Sequence, residues 1–194
     1  MLVVMMNTAE TPDFINEQLV VEPAKPEDAA DIYNVQRLTW IATYPNERVG
    51  ISVDDVRARV EGKNGELIDK QVNRWRETIN QSRQLSVARM NGKVVGFVAP
   101  FFDEQAQQKR VGALYVLPDV QGKGVGQALM TAALQYLGRD DDIYLHVASY
   151  NDDAINFYKK QGFVMTGKDV TGGVSPLLDG RHIPEVEMVL PSAY

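Results

Sequence analysis

The sequence predicts an α/β domain built on a mixed sheet. Three observations carry that prediction. Short β-type runs alternate with runs of helical period. Asn91-Gly92 sits between two alternating runs, the strongest short hairpin signal. A glycine-rich turn joins a strand pattern to a helix pattern at residues 121–126. Hairpins need antiparallel neighbours and helix crossovers need parallel ones, so the sheet is mixed.

In order, residues 1–18 read as a loosely held N-terminal extension, and 19–194 as one domain. Leu19 to Pro23 is a short strand ending at a proline. Lys25-Pro26-Glu27-Asp28 is a helix start, with proline and acids in the first turn. Ala29, Ile32, Val35, Leu38 and Trp40 keep helical spacing to about residue 42, before Pro45 and Gly50 break it. Ser52 caps a second helix over Val53 to Val60, and Asp69 to Gln81 is a third. Leu85 to Met90 and Lys93 to Ala99 form the hairpin. Residues 103–109 are polar and read as a loop, followed by a strand over Val111 to Leu117.

The helix after the glycine turn runs to about Leu137, with Ala128, Leu129, Ala132, Ala133 and Tyr136 on its buried side. Ile143 to Ala148 is a strand, Asp152 to Gln161 a helix closed by Gly162, and Phe163 to Thr166 a strand. Asp179-Gly180 is a turn before the last strand, Val186 to Leu190.

Composition narrows the function. The chain has 194 residues, no cysteine and two histidines, His146 and His182. Disulfides, thiolate zinc sites and a cysteine nucleophile are excluded, and a histidine-rich metal site is disfavoured, so no metal is expected. The net charge of −6 argues against coating a nucleic acid and leans toward a cationic acceptor. No apolar run approaches the roughly 18 residues a membrane span needs. Met1 to Met6 lacks the basic flank of a signal peptide, so a cytoplasmic protein with no membrane partner is expected.

The chemistry concentrates in Val116-Leu117-Pro118-Asp119-Val120-Gln121-Gly122-Lys123-Gly124-Val125-Gly126. Three glycines in five positions let backbone N–H groups approach a ligand, and the helix start adds its positive end. Together these suit a pyrophosphate. The loop is not a P-loop, because Gly122-Lys123 is followed by Gly124 rather than Ser or Thr. It is not the dinucleotide fingerprint either: the glycine spacing is wrong and no acid ends the next strand. A plain glycine-rich turn is the competing reading.

A second segment, Asn151-Asp152-Asp153-Ala154-Ile155-Asn156-Phe157-Tyr158-Lys159-Lys160-Gln161-Gly162-Phe163, follows one strand later. The pair resembles the GNAT superfamily of acyl-CoA N-acyltransferases. Gln121, Gly124 and Gly126 match its Gln/Arg-x-x-Gly-x-Gly signature. Asn151, Ala154, Phe157, Tyr158, Gly162 and Phe163 match its second motif. The resemblance spans roughly residues 19–190. It is most similar to the bacterial branch of polyamine and small-molecule acetylases, with the ribosomal-protein type also similar.

The resemblance implies a GNAT-like mixed sheet, flanked by helices and splayed between the strands ending near Val116 and Ala148. It implies acetyl-CoA as co-substrate, acetyl transfer to a primary amine by direct attack on the thioester, and a homodimer. Leu114, Tyr115 and Val116 would pair with the pantetheine arm. Gln121, Gly122, Lys123, Gly124, Val125, Gly126 and Gln127 would cradle the pyrophosphate, and Asn151 would reach the sulfur end. Tyr158 takes the general-acid position, since a phenol of pKa about 10 is protonated at neutral pH.

Where ribosomal-type relatives carry a glutamate, this chain has His146. That residue is read either as a base or as a strand histidine satisfied by the backbone. Glu104, Glu185 and Glu187 are further carboxylates able to act. Trp40 and Tyr44, four apart on one helical face, are read as acceptor-pocket residues or as core. Asp54-Asp55, Lys159-Lys160 and Arg181-His182 read first as solvated helix ends and a hairpin tip. A polyamine- or amino-acid-like amine is the expected acceptor. The alternatives are a protein N-terminus or lysine, or a non-catalytic acyl-CoA sensor.

Overall fold

The computed structural model describes residues 18–81, 84–170 and 176–193, and the backbone of 2–4. The strands are β1 (Leu2–Val4), β2 (Leu19–Pro23), β3 (Ser86–Met90), β4 (Lys93–Asp103), β5 (Gln108–Val116), β6 (Ile143–Ala148), β7 (Val164–Val170) and β8 (Glu185–Leu190). The helices are α1 (Ala29–Thr43), α2 (Val53–Glu61), α3 (Ile68–Asn80), α4 (Val125–Leu137) and α5 (Asp152–Lys160). The strands form one sheet in the order β1-β2-β3-β4-β5-β6-β8-β7. Every neighbouring pair is antiparallel except β5–β6, which is parallel. The sheet is mixed for the reason the sequence predicts: α4 is the crossover between its two parallel strands.

Strand alternation sends successive side chains to opposite faces. Ala88, Val95 and Val98 pack with α4 and α5, around Leu129, Met130, Ala133, Ile155 and Phe163. Val87, Val94 and Phe97 pack on the other face against Ile32 and Val35 of α1, with Trp75 of α3 laid over them. A third cluster joins α2 to the first helix and to the segment before β8, through Val56, Val60, Trp40, Leu177 and Ile183. Among the described residues, no helix is long and apolar enough to cross a membrane.

The site is created by one irregularity. β4 and β5 shift register between Ala99 and Pro100, and β5 pairs with β6 only at Lys109↔Ile143 and Arg110↔Tyr144. A bulge bends its strand and increases the local twist, so the C-terminal halves of β5 and β6 diverge. This is the splay that the resemblance implies. Beyond Arg110, the β6-facing backbone edge of β5 has no partner strand among the described residues.

Four local expectations differ from the structure. Leu2–Val4 pairs with β2, so part of the predicted leader joins the sheet edge; residues 5–17 lie outside the described ones. The 103–109 loop shrinks to a turn, because backbone pairing continues out to Asp103↔Gln108. The predicted Phe163–Thr166 strand runs instead over Val164–Val170, held by β8 despite a register shift. Tyr136 is exposed although its helical angle, within about 20° of Leu129, falls inside the buried stripe of Val125, Ala128, Leu129, Met130, Ala133 and Leu137; it stands in the last turn of α4, one residue before the helix ends.

Candidate active site

A cleft of about 1590 Å³ passes through the opening between β5 and β6. One end meets the glycine loop. Val120 and Val125 bury their side chains in the core, which pins the loop at two points and leaves Gly122, Lys123 and Gly124 outside. Gly124 is the N-cap of α4 at φ +80°, a conformation that side-chain-bearing residues rarely adopt. It offers no capping side chain, and the first turn holds no acid. The first amide to bond inside the helix is Ala128, donating to Gly124 O at 3.0 Å. The N–H groups of Val125, Gly126 and Gln127 therefore start the helix without a side-chain cap, and the helix dipole adds positive potential there. Gln121 Nε2 donates to Val116 O at 3.0 Å, and Thr39 Oγ1 donates to the same carbonyl at 3.4 Å.

Leu114, Tyr115, Val116, Gln121, Gly122, Gly124, Gly126, Gln127 and Asn151 all line this cleft, as do Trp40, Tyr44, His146 and Tyr158. Lys123 and Val125 do not: Lys123 is exposed outside it and the Val125 side chain is core, leaving only backbone to face a ligand. Asn151 is the N-cap of α5, with Oδ1 accepting from Ala154 N at 3.1 Å. Its side-chain amide N–H groups are not used in that bond.

Tyrosines from separate elements converge in the middle. Tyr158 of α5 is buried beside Phe157 and Phe163, with ring centroids 5.3 and 5.8 Å away. Burial, followed by the nearby Tyr115, pushes its phenol well above the ordinary value, so it stays protonated. Tyr115 comes from the opposite face of the sheet, packed edge-on against Phe97 at 5.5 Å. The Tyr115 and Tyr44 hydroxyls lie 3.5 Å apart, and Tyr150 Oη donates to Tyr44 O at 2.7 Å. Burial, then the Glu185 carboxylate, pushes Tyr150 up to about 12.

Glu185 opens β8 opposite Ala148, at the rim of the same space. Its Oε2 is buried and has no hydrogen-bond partner among the described residues. Burial raises its carboxyl above the usual range, only partly opposed by His182.

His146 sits near the closed end, where β5 and β6 still pair. Arg110 Nη2 donates to His146 Nε2 at 2.7 Å. Arginine has no acceptor, so Nε2 is the unprotonated nitrogen of a neutral ring. Burial and then the Arg110 charge hold the imidazole below its usual value. Arg110 also faces Glu187 at 3.3 Å and Asp103 at 3.5 Å. Trp40 and Tyr44 meet edge-on, with centroids 5.0 Å apart. Trp40 is both core and cleft wall: its ring is buried in the α2 cluster while lining the opening.

Arg59, Arg74, Arg110 and Tyr150 join the lining without any sequence signal that singled them out. Tyr150 had the best local signal, standing beside Asn151; the arginines read only as helix or strand charges.

Comparison with known proteins places this geometry. The model of the acetyltransferase (GNAT) family matches residues 29–163. Peptidyl-lysine N-acetyltransferase YjaB of Escherichia coli is 38% identical over 78 residues, covering 39% of this chain and 51% of the relative. Mycothiol acetyltransferase of Propionibacterium freudenreichii is 34% identical over 97 residues, covering 47% of this chain and 30% of the relative. The chain thus spans about half or less of the length of these curated relatives. In three dimensions, the PaiA N-acetyltransferase of Thermoplasma acidophilum, solved in complex with coenzyme A, superposes with a TM-score of 0.64. That match covers 89% of this chain and 98% of the other at 20% identity, a likeness of fold. With the family model spanning both glycine loop and Asn151–Phe163 segment, and the splayed sheet between them, this chain belongs to the acetyltransferase (GNAT) family.

Proposed function

We propose that the chain transfers an acetyl group from acetyl-CoA to the primary amine of a small molecule or peptide. The observation that carries this is one continuous cleft. It joins the uncapped α4 N-terminus to a protonated tyrosine and an unpartnered carboxylate. The residues fit coenzyme A. Backbone N–H groups at 122–127 suit the pyrophosphate, with Gln121 fastening their loop and Lys123 adding positive charge. The unpaired edge of Leu114, Tyr115 and Val116 suits the amides of the pantetheine arm, and the Asn151 amide suits its sulfur end.

Acetyl-CoA would supply the activated acyl carbon and carry away the electron pair of its C–S bond as thiolate. The chain's own groups handle the protons. An alkylamine of pKa about 10 must shed one before it can attack. Glu185 Oε2 is the group we assign to receive it: it is buried, has no partner among the described residues and has a raised affinity for a proton. As the C–N bond forms and the C–S bond breaks, Tyr158 Oη would give its proton to the departing sulfur and be restored by the second proton that the nitrogen sheds in becoming an amide. An N–H on the β5 edge would bond the carbonyl oxygen as charge develops there. His146 is assigned to hold Arg110 in place, because its Nε2 lone pair is already used.

The test is acetyl-CoA binding by calorimetry, then thiol release on adding polyamines, amino acids and short peptides. Binding followed by release is expected. Binding without release from any acceptor would favour a sensor, and no binding would overturn the assignment of the cleft.

A further inference from the structure

The wall of the cleft built by α1, α2 and α3 presents no carboxylate. Its charged residues are Arg59 and Arg74, among neutral side chains such as Gln36, Gln71 and Thr78. Four other arginines are matched by carboxylates: Arg37 with Glu61, Arg89 with Glu22 and Asp28, Arg110 with Glu187, and Arg181 with Asp55; Arg48, Arg57, Arg76 and Arg139 are not matched among the described residues, but they lie outside the cleft. Among the described residues, Arg59 and Arg74 have no such carboxylate. Arg59 is half-buried, its guanidinium 5.8 Å from the centroid of the Trp40 ring. Burial and the positive charge of Arg74 both push its proton affinity down, so the two cations feel each other across the wall.

Keeping the half-buried Arg59 beside the exposed but like-charged Arg74 is unfavourable until an anion joins them. Guanidinium presents a planar fork of donors that matches carboxylate or phosphate in two bonds. The floor from this pair toward the reacting centre is aromatic. Trp40 meets Tyr44 edge-on, Tyr44 meets Tyr115, and the Glu185 charge is felt at all of Tyr44, Tyr115 and Tyr150. The cleft therefore has a wall whose charges are the cations Arg59 and Arg74, joined through Trp40 and Tyr44 to the tyrosines that feel the Glu185 charge.

We infer that the acceptor is an amine that also carries an oxyanion, held by Arg59 and Arg74 while its nitrogen faces Glu185 and Tyr158. This rests on the acetyl-transfer assignment above and narrows its acceptor class. It reverses the lean toward polyamines that the net charge of −6 suggests. Net charge acts on the approach from solution, whereas selection is made by the groups lining the cleft.

The experiment uses matched probes: 4-aminobutyrate, 6-aminohexanoate and O-phosphoethanolamine, against 6-aminohexanamide and 1,4-diaminobutane. Trp40 and Trp75, the chain's two tryptophans, both line the cleft, so their fluorescence reports binding to the CoA-saturated protein without turnover. Thiol release from acetyl-CoA is read in parallel. The oxyanion amines should bind at least about tenfold more tightly than the amide or the diamine, the scale of one charge-assisted contact. Whether carboxylate or phosphate binds better identifies the anion.

Arg59→Gln and the exposed Arg74→Gln should each raise KM for the oxyanion probes about tenfold, leave kcat within a small factor, and erase the preference. Arg59→Lys should restore part of it. Equal response to amide and carboxylate, no saturable binding of any oxyanion probe, or loss of CoA affinity in the arginine variants would each overturn the inference. Selective binding without thiol release supports the arginine site and overturns acetyl transfer. Thiol release that ignores the oxyanion does the reverse.

Discussion

Arg110 donates from Nη2 to His146 Nε2 at 2.7 Å, and the same guanidinium nitrogen lies 3.3 Å from Glu187 Oε2. His146 and Glu187 are cross-strand partners in β6 and β8, so the arginine ties three strands together at the narrow end of the cleft. A histidine whose acceptor nitrogen is filled by a permanent cation cannot also take a proton from a substrate.

His146→Gln should therefore keep most of the acetyl-transfer rate, since glutamine can still accept from Arg110. The loss should fall well short of the ~10²-fold expected for removing a general base. Stability should show the histidine instead. Its folded proton affinity is depressed, so its contribution is present above the unfolded pKa of about 6.5 and is lost as pH falls through the lower folded value. Thermal melts should find a wild-type decline below about pH 6.5 that is reduced in His146→Gln.

Glu185→Gln carries the opposite signature. Turnover should drop by about 10²-fold or more, and the acidic limb of the kcat profile should disappear. Glu185 has a raised folded pKa, so the neutral carboxyl favours the fold below the unfolded value. That stability is lost as pH rises through the folded pKa. Glutamine removes the buried charge, so the variant should melt higher than wild type at pH 7–8, with the gain shrinking toward pH 4. Full activity in this variant would remove Glu185 from the mechanism.

Tyr158→Phe should reduce kcat by about 10²-fold or more with CoA affinity nearly unchanged. The ring stays packed against Phe157 and Phe163, so the melting temperature should hold. Normal turnover by this variant would show that the leaving sulfur needs no proton from this hydroxyl.

Gly126→Glu separates the phosphate site from the stability of its helix. A Cβ here would lie 3.5 Å from the Phe157 ring, an ordinary contact. A carboxylate in the first turn of α4 should stabilise the helix by about 0.3–1 kcal/mol. The same charge opposes a pyrophosphate, so calorimetry should find CoA bound about tenfold or more weakly. Gly124→Glu should weaken CoA too, but with a loss of stability from its positive φ. Unchanged CoA affinity in the folded Gly126 variant would place the pyrophosphate elsewhere.

Asn151 distinguishes a helix cap from a ligand contact. Asn151→Asp keeps an oxygen for Ala154 N and loses only the side-chain amide, so the fold should hold while CoA binding weakens. Asn151→Ala should lose both, with about 1 kcal/mol of stability.

The parts legible in the sequence were those whose physics is local. Asn91 and Gly92 both take positive φ, as the two-residue hairpin they signalled demands. Ser52 accepts from Asp55 N and caps α2 where its spacing placed it. Gly124 and Gly126 opened α4 because the backbone conformation and the missing side chains are properties of those residues themselves. Tyr136 shows the limit: its spacing places it on the buried side of α4, yet it is exposed in the last turn, because how far along a helix its cover reaches is set by the elements packed against it.

The sequence by itself determined the order of strands and helices from Leu19 onward, the glycine loop and the Asn151–Phe163 segment that mark the family. Only the tertiary structure decided how far β5 and β6 separate, because that depends on a register shift in β4 and on pairing across distant strands. The same long-range placement brings Glu185 from β8 and Tyr44 from the end of α1 toward Tyr115 and Tyr158, fills the His146 lone pair with Arg110, and leaves Arg59 and Arg74 without a carboxylate among the described residues. Partnership between side chains is set by which elements meet, and a linear chain does not contain that information in any one stretch of residues.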